Sequence, residues 1–221
     1  LQKYPNADFS KLVAIRLGDF LRDEGKEDEA IKAYRNAISS YSREIALVGK
    51  LRIANIQAKR PYSDEYLEAL KVYQEITNLY PETPQAEEAM LRKGLTLTQY
   101  GLFTSAIITL EEFMQKYPQN IYVKRNLIHE NIDENLKGLI DLHFREGDYF
   151  SLVSAYNDYK AKYLFNFRFD TTLFQTATAH RRLGLNEEAL DIISFLETRS
   201  KGTVSELVQL EKALTLQQSK R

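Results

Sequence analysis

The stretch Gly94–Pro118, GLTLTQYGLFTSAIITLEEFMQKYP, contains the pattern that decides the fold. One helical face is marked by apolar side chains at positions i, i+4, i+7 and i+11, which are Ala106, Leu110, Phe113 and Tyr117. Pro118 ends this face, because proline cannot continue a helix. Gly101 lies five residues before Ala106, where a tight turn between two helices requires positive φ. The stretch therefore predicts the unit helix, turn, helix.

The apolar stripe of this stretch recurs along the 221 residues of the chain. The other copies are Ala30, Tyr34, Ala37, Tyr41; Ala69, Tyr73, Ile76, Tyr80; Leu152, Tyr156, Tyr159, Tyr163; and Ala189, Ile193, Leu196, Ser200. The first positions of the five stripes are 39, 37, 46 and 37 residues apart, near the periods of helical-pair repeats. We therefore expect an all-α protein in which each helix pair buries its apolar face against its neighbours.

Glycines occupy two recurring positions around these stripes. Four stripes follow a glycine by five residues, at Gly25, Gly101, Gly147 and Gly184. Gly18 and Gly94 lie twelve residues before the first and third stripes. We expect the first set to form the turns, and Gly18 and Gly94 to let two helices cross closely.

The spacing divides the chain into five repeats and a terminal segment. The repeats are 8–42, 45–82, 84–119, 120–164 and 168–201, and residues 203–221 form a capping helix or half repeat. The fourth repeat has an insertion between Pro118 and Leu136, which would lengthen its first helix or add a short one. Residues 2–5 match Gln115–Pro118, the end of a second helix. We therefore expect the chain to be part of a longer repeat protein.

The composition argues against several classes of function. The chain has 30 Lys and Arg residues against 31 Asp and Glu, a net charge of −1, which is unlike a nucleic-acid binder. Cysteine is absent, which excludes disulfides and thiolate chemistry. No apolar run approaches the ~18 residues that a membrane span requires. We therefore expect a soluble protein with no nucleic acid and no direct membrane span.

Catalytic, cofactor and metal sites have no support in the sequence. His129, His143 and His180 are far apart, and no HExxH motif or other close metal-ligand spacing occurs. P-loop and GxGxxG motifs are also absent. Adjacent acids such as Glu187 and Glu188 point in different directions on a helix, as solvated side chains do. We therefore expect no enzyme, no cofactor and no metal.

The stretch Gly94–Pro118 resembles the tetratricopeptide repeat family in its glycine, alanine, aromatic residues and terminal proline. The turn Gly184–Leu190 resembles the same family. The resemblance covers nearly the whole chain, although no repeat carries the family's tryptophan. It implies a right-handed superhelical solenoid of antiparallel helix pairs that binds a protein or peptide in its concave groove.

The recurring aromatic-proline ends, such as Tyr80-Pro81 and Tyr117-Pro118, resemble the repeats of bacterial envelope proteins. Outer-membrane assembly lipoproteins and Tol-Pal accessory proteins are of this kind. The resemblance favours a periplasmic or outer-membrane-associated protein, with a cytoplasmic one as the alternative.

Three arginines share one position in the first three repeats, two residues before the small residue of the first helix. They are Arg16, Arg52 and Arg92. The resemblance places this face in the concave groove, where a row of guanidinium groups would bind an acidic segment. Asn55 would add a hydrogen bond to a peptide backbone. The alternative is that the arginines pair with neighbouring acids, Asp19 and Glu88, and only stabilise the stack.

Three phenylalanines alternate with polar residues before the fifth repeat. Phe165, Phe167 and Phe169 have the period of two that is typical of extended chain. We expect a loop whose rings pack under the fourth repeat. The alternative is an exposed apolar strip that binds a partner.

Together these patterns predict a non-catalytic adaptor that binds a protein or peptide segment, with an acidic one favoured. The alternative is a structural or oligomerisation module of a larger envelope or multidomain protein, without a groove ligand. Self-association is expected in that case, whereas an adaptor is expected to bind a titrated peptide.

Overall fold

The computed structural model describes residues 8–60, 64–162, 169–199 and 203–220. Over these ranges the chain forms twelve helices and no strand. The helices are α1 (Asp8–Asp23), α2 (Glu27–Ile38), α3 (Arg43–Gln57), α4 (Glu65–Leu79), α5 (Pro84–Gln99), α6 (Phe103–Lys116), α7 (Ile121–Lys124), α8 (Leu127–Glu146), α9 (Tyr149–Lys162), α10 (Asp170–Arg182), α11 (Asn186–Arg199) and α12 (Thr203–Ser219). The predicted all-α fold of helix pairs is confirmed.

The helices form two compact units, residues 1–125 and 126–221. In the first unit each of α1 to α5 packs against the next helix, and α3 also touches both α1 and α5. In the second unit α8 to α12 pack in the same sequential way, and α10 also touches α8 and α12. This sequential pairing is consistent with a tetratricopeptide-like repeat array.

The apolar stripes form the core of the helix pairs. The first three positions of all five stripes are buried, as the periodicity predicts. The fourth position differs between copies, and Tyr41 is 87% exposed. The prediction that Tyr41 belongs to the core was wrong, because α2 ends at Ile38 and Tyr41 lies beyond its C-cap residue Ser39.

The glycines have the two roles that the sequence predicts. Gly25, Gly101, Gly147 and Gly184 all have φ between 72° and 80°, the left-handed conformation of the turns between helices. Gly18 lies against the ring of Tyr34, and a Cβ atom at Gly18 would come within 2.4 Å of it. The close crossing of α1 and α2 therefore depends on the missing side chain.

The insertion before Leu136 has both of the predicted effects. It adds the short helix α7, and it lengthens the next helix, so that α8 has 20 residues. Asn126 separates the two helices with φ 57°, a left-handed conformation that asparagine tolerates better than most residues.

A buried ion pair attaches α12 to α10 in the second unit. The Arg181 guanidinium donates two hydrogen bonds to the Glu211 carboxylate, with Nε–Oε1 2.5 Å and Nη2–Oε2 3.3 Å. The Arg181 and Glu211 side chains are only 12% and 6% exposed. Both charges are therefore largely removed from water and depend on each other for compensation.

Candidate functional site

The first unit presents one polar face built from α3 and α5. α5 begins after Thr83, whose hydroxyl accepts a hydrogen bond from the Ala86 N–H, and Pro84 occupies the first turn. This start places Glu88, Arg92 and Leu95 on one side of the helix, because they are four and three residues apart. On α3, Arg52 and Asn55 share a face for the same reason.

Glu88 is the point where these side chains meet. Its Oε1 atom lies 3.3 Å from Arg52 Nη1, 3.1 Å from Asn55 Nδ2 and 3.7 Å from Arg92 Nε. The buried Tyr73 hydroxyl donates to Asn55 Oδ1 at 2.8 Å, which leaves the Asn55 amide nitrogen directed at Glu88. Three nitrogen atoms from two helices therefore surround one carboxylate oxygen, and those of Arg52 and Asn55 lie at hydrogen-bond distance.

Arg52 also contacts a second acid, Asp19 of α1. Its Oδ1 atom accepts a hydrogen bond from the Tyr34 hydroxyl at 2.8 Å and contacts Arg22 Nη1 and Arg52 Nε, each at 3.3 Å. Burial, and then the hydrogen bond to Asp19, raise the pKa of the Tyr34 hydroxyl well above its usual range. Tyr34 therefore remains a neutral donor that fixes Asp19 in place.

A cavity of about 420 Å³ opens beside these residues, and we call it the groove. Its polar lining residues are Arg22, Glu27, Arg52, Asn55, Lys59, Tyr73, Arg92, Thr96 and Gln99. Burial raises the pKa of Tyr73, and the positive charge of Arg92 opposes that effect. The groove wall thus carries four cationic side chains and one carboxylate, and its chemistry suits an anionic group with hydrogen-bond acceptors.

A second cavity of about 230 Å³, the side cavity, lies next to the groove. Arg92 and Leu95 line both cavities. Glu88 and Tyr122 line the side cavity but are not among the residues that line the groove. The two cavities therefore share Arg92 and Leu95, and Glu88 lines the side cavity while its carboxylate contacts residues that line the groove.

The structure brings three of the four predicted groove residues together. Arg52, Asn55 and Arg92 all line the groove. Arg16 is exposed, is not among the groove-lining residues, and makes no ion pair with any residue in the described ranges. Arg52 contacts both Asp19 and Glu88, and Arg92 contacts Glu88, which are the acids named in the alternative interpretation.

Two cations of the groove were missed by the sequence interpretation. Arg22 lies in the last turn of α1, and Lys59 lies two residues beyond the last residue of α3, so neither shares the position of the predicted row. The sequence feature that could have identified Arg22 is its position three residues after Asp19, the spacing of an ion pair on a helix. No comparable spacing in the sequence indicates that Lys59 lines the groove.

The predicted phenylalanine strip is described only at its last residue. Phe165 and Phe167 lie outside the described residues. Phe169 is the N-cap residue of α10 and is half-buried, and the Lys137 ammonium lies 4.8 Å from the centroid of its ring. The alternatives of packing and partner binding stay open for this strip.

The histidines and the helices bear on two other kinds of site, a metal site and a membrane span. His180 is buried, and its Nδ1 atom lies 2.8 Å from the Thr176 carbonyl oxygen. Within the described ranges no three His, Cys, Asp or Glu side chains are placed to share a metal ion. None of the helices in those ranges combines the length and apolar character needed to cross a bilayer.

Comparison with known proteins gives a family match that includes the part of the groove contributed by α5. Residues 88–120 match the family model described as tetratricopeptide repeat. The match begins in α5 and ends just beyond α6, so it includes both Glu88 and Arg92. No curated protein matches the chain. The chain thus contains a tetratricopeptide repeat, a typically non-catalytic unit that indicates a protein-interaction module with protein partners.

Proposed function

We propose that the chain is a non-catalytic adaptor whose groove binds an acidic, extended segment of a partner protein. The observation that carries the proposal is the lining of the groove, which contains Arg22, Arg52, Lys59 and Arg92 but only one carboxylate, that of Glu27. The acids that contact three of these arginines, Asp19 and Glu88, are not part of that lining. A guanidinium has five N–H donors, and the contact of Arg92 with Glu88, 3.7 Å from Nε to Oε1, is longer than a hydrogen bond. The terminal nitrogens of Arg92 remain for a ligand carboxylate.

The polar residues of the groove add a second kind of contact. Asn55, Thr96 and Gln99 lie among the cations and supply amide and hydroxyl groups. Such groups hydrogen-bond the backbone of an extended peptide, whereas the arginines select acidic side chains. Both features together favour an acidic peptide over a free small anion.

We expect Arg92→Ala to weaken binding of an acidic peptide about fivefold, since one partly exposed charge contact of this kind contributes up to ~1 kcal/mol. The probe is a fluorescent twelve-residue peptide of alternating Glu and Ser, measured by anisotropy. Binding should weaken as salt rises, because charges separated by more than ~8 Å are screened at physiological ionic strength.

Lys93→Ala is the matched control for Arg92→Ala. Lys93 is the next residue of α5, carries the same charge, and donates to Gln74, which is not among the groove-lining residues. Lys93→Ala should leave the affinity for the acidic peptide within twofold of the wild-type value. Equal losses in both variants would show that only the overall charge attracts the peptide and would count against a groove.

The second candidate function is a structural or oligomerisation module. It is favoured by the exposed apolar side chains of α12, where Leu207, Leu210 and Leu214 are 48%, 58% and 38% exposed at the spacing of one helical face. Sedimentation velocity separates the two functions. A chain that self-associates at micromolar concentration and binds no acidic peptide is the structural module.

We also propose that the protein is located in the bacterial envelope. Its support is the aromatic-proline pattern, which ends two helices: Tyr80 is the C-cap residue of α4 before Pro81, and Tyr117 is that of α6 before Pro118. Fractionation of a bacterial cell that expresses the native gene tests this location.

A further inference from the structure

We propose that Glu88 is an internal ligand of the groove, whose carboxylate occupies the position that a partner's carboxylate takes on binding. This inference rests on the function proposed above and adds a competitor within the same site. Its starting point is the convergence of Arg52, Asn55 and Arg92 on the single oxygen Glu88 Oε1. A site with three donors around one carboxylate oxygen is already built for that chemistry.

Glu88 is held less firmly than the other acid of the network. Asp19 accepts a hydrogen bond from the buried Tyr34 hydroxyl, and its side chain is 22% exposed. The side chain of Glu88 is 33% exposed, and the contacts of its carboxylate are with side chains that are themselves partly exposed. Glu88 can therefore be exchanged for another carboxylate at a lower cost than Asp19.

The side cavity gives Glu88 a place to move. Glu88 lines that cavity together with Asn120 and the exposed Tyr122. Rotation of the Glu88 side chain toward it would free Arg52 Nη1 and Asn55 Nδ2 without moving either helix. A carboxylate that leaves these contacts would be solvated in the side cavity, which Tyr122 also lines.

This exchange makes Glu88 a specificity-determining residue. A neutral segment gains nothing by displacing a carboxylate from two guanidinium groups, whereas an acidic side chain restores the contacts that Glu88 gives up. The presence of Glu88 thus lowers the affinity for acidic segments, which have to displace its carboxylate, and lowers the affinity for neutral segments, which can bind without displacing it, by a smaller factor.

We expect Glu88→Gln to bind the Glu-Ser peptide about fivefold more tightly than the wild-type chain, because the competing charge is gone. Glutamine keeps the side-chain length and an acceptor oxygen for Asn55, so the helical spectrum and melting temperature should change little. The same peptide with Gln in place of Glu is the neutral comparison, and its affinity should rise by a smaller factor, because it does not need the position that the Glu88 carboxylate occupies.

Glu87→Gln is the control for charge alone. Glu87 is the adjacent acid, and its carboxylate accepts from Asn120 at 2.6 Å, away from the three donors. It should change the affinity less than twofold.

The outcomes distinguish the two proposals. If the wild-type chain binds the Glu-Ser peptide through Arg92 and Glu88→Gln binds it equally or more weakly, the groove stands and the internal ligand is overturned. Tighter binding by Glu87→Gln to the same extent also overturns it. If neither the wild-type chain nor Glu88→Gln binds the peptide, both proposals fail.

Discussion

Ala106→Glu should unfold most of the first unit. Ala106 is fully buried at the start of α6, and it is the first position of the stripe that continues in Leu110 and Phe113. A glutamate there would place a carboxylate in the core without a partner, at a cost of several kcal/mol. Because a whole domain is stable by only ~5–15 kcal/mol, this cost is a large share of the total. Loss of the far-UV helical signal at low denaturant concentration is the expected result.

Ser105→Glu is the control for this substitution. Ser105 is the adjacent residue, but it is exposed and lies in the first turn of α6, where a negative charge interacts favourably with the helix dipole. It should melt at the wild-type temperature or slightly above. If Ala106→Glu melts as Ser105→Glu does, Ala106 is not in a packed helix interface and the repeat packing described above is incorrect.

Glu211→Ala should destabilise the second unit by about 3–5 kcal/mol, because it leaves the Arg181 guanidinium buried without its counter-charge. The bidentate contact and the low exposure of both side chains distinguish this pair from surface ion pairs. We expect α12 to lose its protection from hydrogen exchange first, since Arg181 and Glu211 join α10 to α12. Chemical denaturation gives the accompanying loss of stability.

The double variant Arg181→Met with Glu211→Leu tests the reason for that loss. Replacing both charges with apolar side chains of similar size removes the unpaired charge, so the double variant should recover most of the stability. A double variant as unstable as Glu211→Ala would show that the cost comes from lost packing of α12 and not from the buried charge.

The fold could be predicted from the sequence because the apolar period and the turn glycines are local signals. The exception, Tyr41, shows where a local signal fails. The segment Ser39–Ser42 contains three serines, whose hydroxyls compete for the backbone groups at helix ends. Ser42 caps α3, and α2 ends at Ile38 without a glycine or proline to mark it.

The candidate site could be predicted only in part, for a different physical reason. A shared repeat position determines which face a side chain occupies, and it identified Arg52 and Arg92 as neighbours. It does not determine which acid each arginine contacts, because that depends on side-chain rotamers across three helices. The shared repeat position also does not predict Lys59, because this groove-lining residue lies beyond the end of α3, where repeat positions no longer apply.

The most direct test of the proposed function is to locate the bound peptide by NMR. The ¹⁵N-labelled chain is titrated with the Glu-Ser peptide, and the amide shifts are followed to saturation. The predicted result is that the largest shifts fall on residues that line the groove, such as Asn55, Thr96 and Gln99, and that α11 is unaffected. Largest shifts outside the groove, or none at saturating peptide, would contradict a groove that binds an acidic segment.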